Sequence, residues 1–226
     1  MDFSQVPMIL IIALGLGLLH ALDADHIMAV TNLAAGQADF KSSLLFCFRW
    51  AIGHGLVLTF VGLAVFILGI SLPKELSQYA ELAVALILII IGIYVLIDIY
   101  RKHVHIHFHQ HDDKPIHAHW HSHKKQHSHQ HSHTALFVGM LHGMAGSAPL
   151  LALIPIAMTE EPVYGFIYLA IFSLGVLIAM LIFGGLLGYF SKQVMQYSEK
   201  IFRWVRAGLG LGAISVGGLI FASTIS

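Results

Sequence analysis

The chain has 226 residues, of which 57% are hydrophobic and only 11% charged, and its formal net charge is zero with histidine neutral. Soluble domains carry roughly 25% charged residues, so the composition excludes a water-soluble globular domain, and the balanced charge argues against nucleic acid as a partner. The single Cys47 excludes an intrachain disulfide framework and a multi-cysteine zinc site, and the seventeen histidines are the unusual feature of the chain.

Six hydrophobic runs are long enough to span a bilayer, since about 20 apolar residues suffice. We therefore predict an all-α integral membrane protein with six transmembrane helices, and we interpret the first run as a retained helix because no basic segment precedes it. The predicted spans are approximately Val6–Val30, Leu44–Ile70, Leu82–Tyr100, Ala135–Met158, Val163–Phe190 and Trp204–Ala222.

The basic residues predict the orientation of these spans. Eleven of the twelve Lys and Arg residues fall on one side of the predicted bundle, and Lys74 alone falls on the other. Because cytoplasmic loops accumulate Lys and Arg, we expect a multi-pass protein of the cytoplasmic membrane with segment 101–133 in the cytoplasm and both termini outside. Trp50 and Tyr79 near helix ends are interpreted as interfacial aromatics.

The first span contains four ionisable residues within seven positions, at a depth where such groups are costly unless they are paired or coordinated. At 1.5 Å of rise per residue, the first histidine of this span and the histidines of the second and fourth spans all fall in the cytoplasmic half of the bilayer. Imidazole with a little carboxylate suits nickel, cobalt, copper or zinc, whereas magnesium and calcium prefer oxygen alone. The candidate metal ligands are His20, Asp23, Asp25, His26, His54 and His142.

A regular helix could not place His20 and His26 on one ion, because they would lie about 120° and about 9 Å apart on it. Either the helix unwinds near Asp23 or these residues form successive stations for the ion. We therefore predict an unwound segment around Asp23, with partner ligands from the second and fourth spans.

An internal repeat is indicated at an offset of 122 residues, where Gly17–Leu22 matches Gly139–Met144 and Gly53 matches Gly175. Three helices per repeat would make the halves antiparallel, an arrangement typical of transporters with a site at the midplane. The alternative is that both halves are merely glycine-rich membrane helices. If the repeat is real, we expect residues 1–100 and 134–226 to form two inverted three-helix repeats.

Residues 101–133 join the two predicted repeats and contain thirteen of the seventeen histidines. Such histidine-rich tracts are compositional signals of metal binding, and we expect a disordered segment with exchangeable sites; a polar tether with incidental affinity is the alternative. An unperturbed imidazole titrates near pH 6.5, so acid would charge the segment and release metal. The auxiliary ligands are His103, His105, His107, His109, His111, His117, His119, His121, His123, His127, His129, His131 and His133.

The run His-Ala-Leu-Asp-Ala-Asp-His-Ile, which begins at His20, resembles the H-x4-D-H signature of the nickel/cobalt transporter family. Gly53-His54-Gly55 is similar to the family's second motif, although Gly55 departs from it, and Leu-His-Gly-Met-Ala-Gly-Ser at 141–147 resembles the family's small urease-accessory branch. The acidic later motif of the long members is not evident. The resemblance implies translocation of Ni²⁺ or Co²⁺, with His20, Asp25, His26 and His54 on the metal path, and it leaves metal selectivity and direction open.

Together these features predict a secondary transporter rather than an enzyme, with Ni²⁺ or Co²⁺ as transported substrate, no cofactor, and uptake slightly favoured over efflux. The sequence has no Gly-x4-Gly-Lys-Ser/Thr loop, which argues against ATP hydrolysis by this chain. The expected partners are the divalent transition-metal ion, the lipid bilayer and a cytoplasmic metallochaperone. A carrier of zinc, cadmium or another divalent metal is the alternative within transport, and a membrane oxidoreductase with His-ligated haem or metal is the alternative of another class.

Overall fold

The computed structural model describes residues 6–34, 40–66, 74–101, 108–109, 117–118, 131–145 and 162–226. Within these ranges the chain is helical apart from one pair of two-residue strands, the break at Ala21–Asp23 and single residues at helix ends. The elements are α1 (Val6–His20), α2 (Ala24–Ala34), α3 (Phe40–Phe66), α4 (Lys74–Arg101), β1 (Phe108–His109), β2 (His117–Ala118), α5 (His131–Met144), α6 (Pro162–Tyr197) and α7 (Glu199–Ile225).

Four helices in the described part of the chain, α3, α4, α6 and α7, are long and apolar enough to cross a membrane. Helices α1 and α2, which are bent by 55° at their break, are long and apolar enough only together, as one broken span or a re-entrant loop. Large apolar side chains project outward from these helices, for example Ile11 and Leu219, as lipid-facing positions require. The chain is therefore a multi-pass membrane protein. The fourth predicted span corresponds to α5, and its predicted part beyond residue 145 lies outside the described residues.

The observed helices extend beyond the predicted spans. Helix α4 begins eight residues before Leu82, at Lys74, and α6 continues past Phe190 to Tyr197. At 1.5 Å per residue, the 36 residues of α6 correspond to roughly 54 Å, well over the thickness of the hydrocarbon core. Hydropathy detects only the apolar stretch, whereas the backbone hydrogen bonds of a helix continue into the polar interface, and this difference explains the shorter prediction.

The helices pack in a pattern that fixes the site. Helix α1 lies against α6, α5 against α3, α3 against α6, and α4 against α7. The backbones approach very closely at glycines: a Cβ atom at Gly17 would collide with the carbonyl oxygen of Phe172, and one at Gly139 with the carbonyl oxygen of Trp50. Small residues at such crossings let membrane helices come into backbone contact.

These glycine contacts recur at the offset of 122 residues with the partners exchanged. Gly17 and Phe172 correspond in this way to Gly139 and Trp50. A second set behaves identically, since a Cβ atom at Gly53 would collide with the carbonyl oxygen of Leu136, while one at Gly175 would approach the carbonyl oxygen of Leu14. Contacts between α1 and α6 therefore repeat between α5 and α3.

Two short elements lie in the segment that was expected to be disordered. Phe108 pairs with Ala118 and His109 with His117 in antiparallel register, and the alternation of histidine with apolar residues before this point is itself a strand-like pattern. His131 and His133 belong to the start of α5. The remaining predicted loop ligands, His103, His105, His107, His111, His119, His121, His123, His127 and His129, lie outside the described residues.

Candidate metal site

The site is built on the break between α1 and α2. At the end of α1 the amides of Leu22 and Asp23 donate to carbonyls three residues earlier, at 2.9 and 3.0 Å, and the amide of Ile27 then starts α2 by donating to the carbonyl of Asp23 at 3.0 Å. Asp23 thus occupies the position before the first turn of α2, where aspartate is favoured. The predicted unwound segment around Asp23 is confirmed, and it covers Ala21–Asp23.

The break brings together two histidines that a straight helix would separate. The ring centroids of His20 and His26 lie 4.7 Å apart, with the planes at 75°. Helix α2 is held in its new direction by Asn32, whose Nδ2 donates to the carbonyl of Leu209 in α7 at 3.1 Å. The change of direction therefore satisfies the geometric requirement that a regular helix could not meet.

The other two intramembrane histidines join this pair. The ring centroid of His54 on α3 lies 5.3 Å from that of His20 and 5.4 Å from that of His26. His142 on α5 lies 5.2 Å from His26 by the same measure. All four side chains are buried. We call His20, His26, His54 and His142 the histidine cluster, and it unites the four candidate histidines that the sequence placed on three different spans.

Hydrogen bonds orient three of the imidazoles. Nδ1 of His20 lies 2.8 Å from Asp23 Oδ2, Nδ1 of His26 lies 2.9 Å from Asp25 Oδ1, and Nδ1 of His142 lies 2.8 Å from the carbonyl oxygen of Val138. Carbonyl and carboxylate oxygens accept hydrogen bonds, so each Nδ1 donates. This pattern, in which an oxygen acceptor fixes the Nδ1 proton, is typical of histidines that bind metal through Nε2.

The opposite ring nitrogens are the atoms that could ligate a metal ion. Nε2 of His26 and Nε2 of His142 are buried and have no hydrogen-bond partner among the described residues; for His54 this is true of both ring nitrogens. Leaving such a buried polar atom unsatisfied costs about 1–3 kcal/mol. A cation bound by these nitrogens would remove that cost.

Three of the four imidazoles are close enough to share one ion. His20, His26 and His54 each offer one nitrogen, and these atoms lie within 4.8 Å of one another. Tetrahedral coordination at about 2.1 Å would space the nitrogens by roughly 3.4 Å. Small movements of the rings would therefore bring the three nitrogens to the spacing that one ion requires. Asp23, Asp25 and His26 form a second group within the same 4.8 Å limit, and His26 therefore belongs to both groups.

The two carboxylates were predicted to be metal ligands, but in the structure their oxygens contact histidines. Asp23 and Asp25 each accept a hydrogen bond from the Nδ1 of a histidine, and Asp25 Oδ2 also lies 4.0 Å from Nε2 of His142. In the described conformation both carboxylates position imidazoles, and together they place two negative charges beside the cluster.

Two aromatic residues at the site were missed from the sequence. Trp50 was interpreted as an interfacial anchor, which is wrong: it is fully buried. It stacks on His54 with centroids 5.3 Å apart and planes at 19°, and its ring lies 4.9 Å from that of His26. Phe172 lies 5.6 Å from His20. The four-residue spacing of Trp50 and His54 already placed both on one helix face, and the offset of 122 relates Trp50 to Phe172.

Comparison with known proteins places the chain in a family. Residues 12–214 match the family model described as cytochrome C biogenesis protein transmembrane region. The chain is also similar to the urease accessory protein UreH of Bacillus sp. (strain TB-90), at 31% identity over 189 residues, which cover 82% of this chain and 79% of the relative. No solved structure matches. The match over nearly the whole chain shows that this multi-pass membrane protein belongs to the family of cytochrome C biogenesis protein transmembrane regions and is a relative of a urease accessory protein.

Proposed function

We propose that this protein is a secondary transporter that moves Ni²⁺ or Co²⁺ across the cytoplasmic membrane through the histidine cluster. The observation that carries the proposal is the convergence of four buried imidazoles from α1, α2, α3 and α5, three of them with Nδ1 held by an oxygen acceptor. Buried ionisable groups in a membrane mark ion pathways by default.

The charges around the cluster suit a divalent cation. An ion that leaves water for the bilayer loses its hydration, and the protein must replace both the ligands and the counter-charge. Imidazole nitrogens replace water as ligands, while Asp23 and Asp25 supply two negative charges next to them. Hydrogen bonds from Nδ1 to carboxylates also raise the basicity of the ligating nitrogen.

The choice of metal rests on the donor set and on the relative. Nitrogen donors favour nickel, cobalt, copper and zinc over magnesium and calcium. The relative is a urease accessory protein, which agrees with the small urease-accessory branch of the nickel/cobalt transporter family that the motifs resemble. This agreement supports Ni²⁺ or Co²⁺ over the alternative of a zinc or cadmium carrier.

We further propose that six spans form two inverted three-helix repeats and that the ion binds between them. The exchanged glycine contacts at an offset of 122 residues support this arrangement, as does the correspondence of His20 with His142 at the same offset. Rocking of one half against the other would expose the cluster to each side in turn. An interior-negative potential favours uptake of a doubly charged ion by roughly 4.6 kcal/mol per 100 mV.

The test is metal flux into proteoliposomes with Ni²⁺, Co²⁺ or Zn²⁺ as the only transition metal. His26→Ala should abolish flux of the preferred ion, because His26 belongs to both candidate ligand groups. His133→Ala is the matched control, since this exposed histidine at the start of α5 lies outside the cluster. Normal flux in His26→Ala would refute the assignment, and sidedness in the same assay gives the direction.

Binding can be measured independently of flux. Trp50 contacts three of the cluster histidines, so a variant with Trp120→Phe and Trp204→Phe keeps one tryptophan at the site. Paramagnetic Ni²⁺ or Co²⁺ in the cluster should quench its fluorescence. Quenching that persists unchanged in His26→Ala would place the ion elsewhere.

A haem-linked role is the second candidate, because the family description names cytochrome C biogenesis. The close packing of the cluster argues against it: neighbouring imidazoles have centroids only 4.7–5.4 Å apart, which leaves no gap for a porphyrin between them. An absorption spectrum of the purified protein separates the two candidates, since a Soret band would overturn the transport proposal.

A further inference from the structure

A cavity of about 380 Å³ lies against the histidine cluster. Its lining includes His20 and His26 of the cluster, Asp23 and Asp25 beside it, and two residues that the sequence did not connect with the site, Glu81 of α4 and Ser223 of α7. Among the described residues that line it, three are carboxylates and none is a lysine or an arginine.

The residues that line this cavity differ widely in exposure. The side chain of Asp23 is 44% exposed, that of Asp25 21%, and that of His26 only 1%. His26 also carries the buried Nε2 that has no hydrogen-bond partner among the described residues. The cavity therefore joins exposed and half-exposed carboxylates to the buried imidazole of His26.

Glu81 is held at this cavity by a hydroxyl group of a neighbouring helix. Oγ1 of Thr224 lies 3.1 Å from Glu81 Oε2 and links α7 to α4, and the described part of the chain provides no ion pair for Glu81. The charge is half-buried, so it is screened less than a surface carboxylate. Three carboxylates around one cavity create a negative field that concentrates cations.

The position of Glu81 along α4 assigns the cavity to one side of the membrane. Glu81 lies seven residues, or roughly 10 Å, after Lys74, where α4 begins. Ser223 and Thr224 lie in the last turn of α7, so both helices contribute the ends that the distribution of basic residues predicts to be outside. With the predicted orientation, the cavity is an outer vestibule of the cluster.

We propose that Glu81 is an outer carboxylate station, which binds the hydrated divalent cation in the vestibule before the ion loses water to the imidazoles. The role deepens the proposed transport function and rests on it. Carboxylates bind hydrated cations without removing their whole water shell, while the histidines provide the stronger and more selective nitrogen ligands. The Thr224 hydroxyl shares its one proton between the carbonyl oxygen of Ile220, at 2.8 Å, and Glu81 Oε2, at 3.1 Å, and this contact places the carboxylate beside the cavity.

Flux measurements test the station with a matched control. Glu81→Gln should raise the apparent KM for externally added Ni²⁺ or Co²⁺ about tenfold and leave the maximal rate within twofold, because the station acts in capture and not in translocation. Glu75→Gln removes the same charge from the exposed first turn of the same helix and should leave KM unchanged. Equal KM values in wild type, Glu81→Gln and Glu75→Gln would overturn the proposal.

A labelling experiment separates the vestibule from the transport function. With Cys47→Ser as background, Ser223→Cys places the only thiol in the cavity. A membrane-impermeant cationic thiol reagent added outside should modify it, and Ni²⁺ at about five times the wild-type KM should slow modification at least fivefold with Glu81 present but less than twofold in Glu81→Gln. Absence of labelling, or equal protection in both backgrounds, overturns the vestibule. Glu81-dependent protection in a protein that carries no metal flux supports the vestibule and overturns the transport function instead.

Discussion

Replacing Asp25 by Asn isolates the contribution of one carboxylate to metal binding. The substitution keeps the size of the side chain but removes the charge that fixes the Nδ1 proton of His26 at 2.9 Å and that faces His142 at 4.0 Å. An amide can present either its oxygen or its NH₂ group to His26, so the imidazole would no longer be committed to presenting the lone pair of Nε2 to the ion.

The geometry gives the size of the effect. An ion about 2.1 Å beyond Nε2 of His26 would lie roughly 6.5 Å from the Asp25 carboxylate. With an effective dielectric constant of 20, the attraction between a 2+ ion and one negative charge at that distance is roughly 5 kcal/mol before desolvation. Asp25 is 21% exposed, and its desolvation cancels part of this. Loss of a carboxylate that orients a ligating histidine costs 10–100-fold in metal affinity, or roughly 1.4–2.7 kcal/mol, which is the expected loss.

The assay is a titration of Trp50 fluorescence with Ni²⁺ in the variant that retains Trp50 alone. Asp25→Asn should shift the half-quenching concentration upward 10–100-fold without changing the maximal quenching, because His20, His26 and His54 remain. Glu75→Gln controls for the loss of one negative charge far from the cluster. A shift smaller than twofold in Asp25→Asn would refute the reasoning that this carboxylate orients a ligand.

Gly17→Ala should lower the free energy of unfolding by about 1–3 kcal/mol, since its Cβ meets a backbone carbonyl that cannot rotate away. Gly15→Ala is the control, because its Cβ meets nothing within 4 Å. Thermal stability is measured in detergent, and an equal loss in both variants would contradict this prediction. The ion pair of Asp98 and Arg206, 3.2 Å apart, should show a coupling energy on the order of 1 kcal/mol in a double-mutant cycle of thermal stability. Deletion of 103–133 should leave a basal rate of flux but remove the extra metal that this segment binds, and loss of all flux would contradict a modulatory role. In the full chain, the amount of metal bound by the segment should fall as pH drops through about 6.5, because protonated imidazole does not bind metal.

Local chemistry made the core of the site predictable from sequence. His20, Asp23 and His26 stand out because ionisable groups are costly inside a membrane, and the break at Asp23 followed from the geometry of a helix that must place two of them together. The partners His54 and His142 were found by the same cost argument. No long-range contact had to be known for any of these inferences.

Residues whose role depends on packing between distant helices were missed. Trp50 looked like an interfacial residue, and it is buried because α5 approaches α3 so closely that Gly139 touches its carbonyl. Glu81 escaped for a different reason: the predicted third span began at Leu82, one residue later, because a hydropathy window ends at a charge. The helix itself begins at Lys74, and the carboxylate therefore falls within it.

The two halves of the proposed repeat share a histidine at the cluster, but they differ in their charged residues. This difference affects how a cation would approach the cluster from each side of the membrane. At the offset of 122, His20 corresponds to His142, whereas Asp23 corresponds to Ala145, and Glu81 to the exposed Arg203 near the start of α7. Asp25 compensates for part of this difference by facing His142 across the proposed repeat interface at 4.0 Å. Under the proposed repeat, the outer approach thus carries an acid where the inner approach carries a base. A carboxylate attracts cations and an arginine repels them, so under the proposed repeat and transport function metal would be captured more readily from outside than from inside.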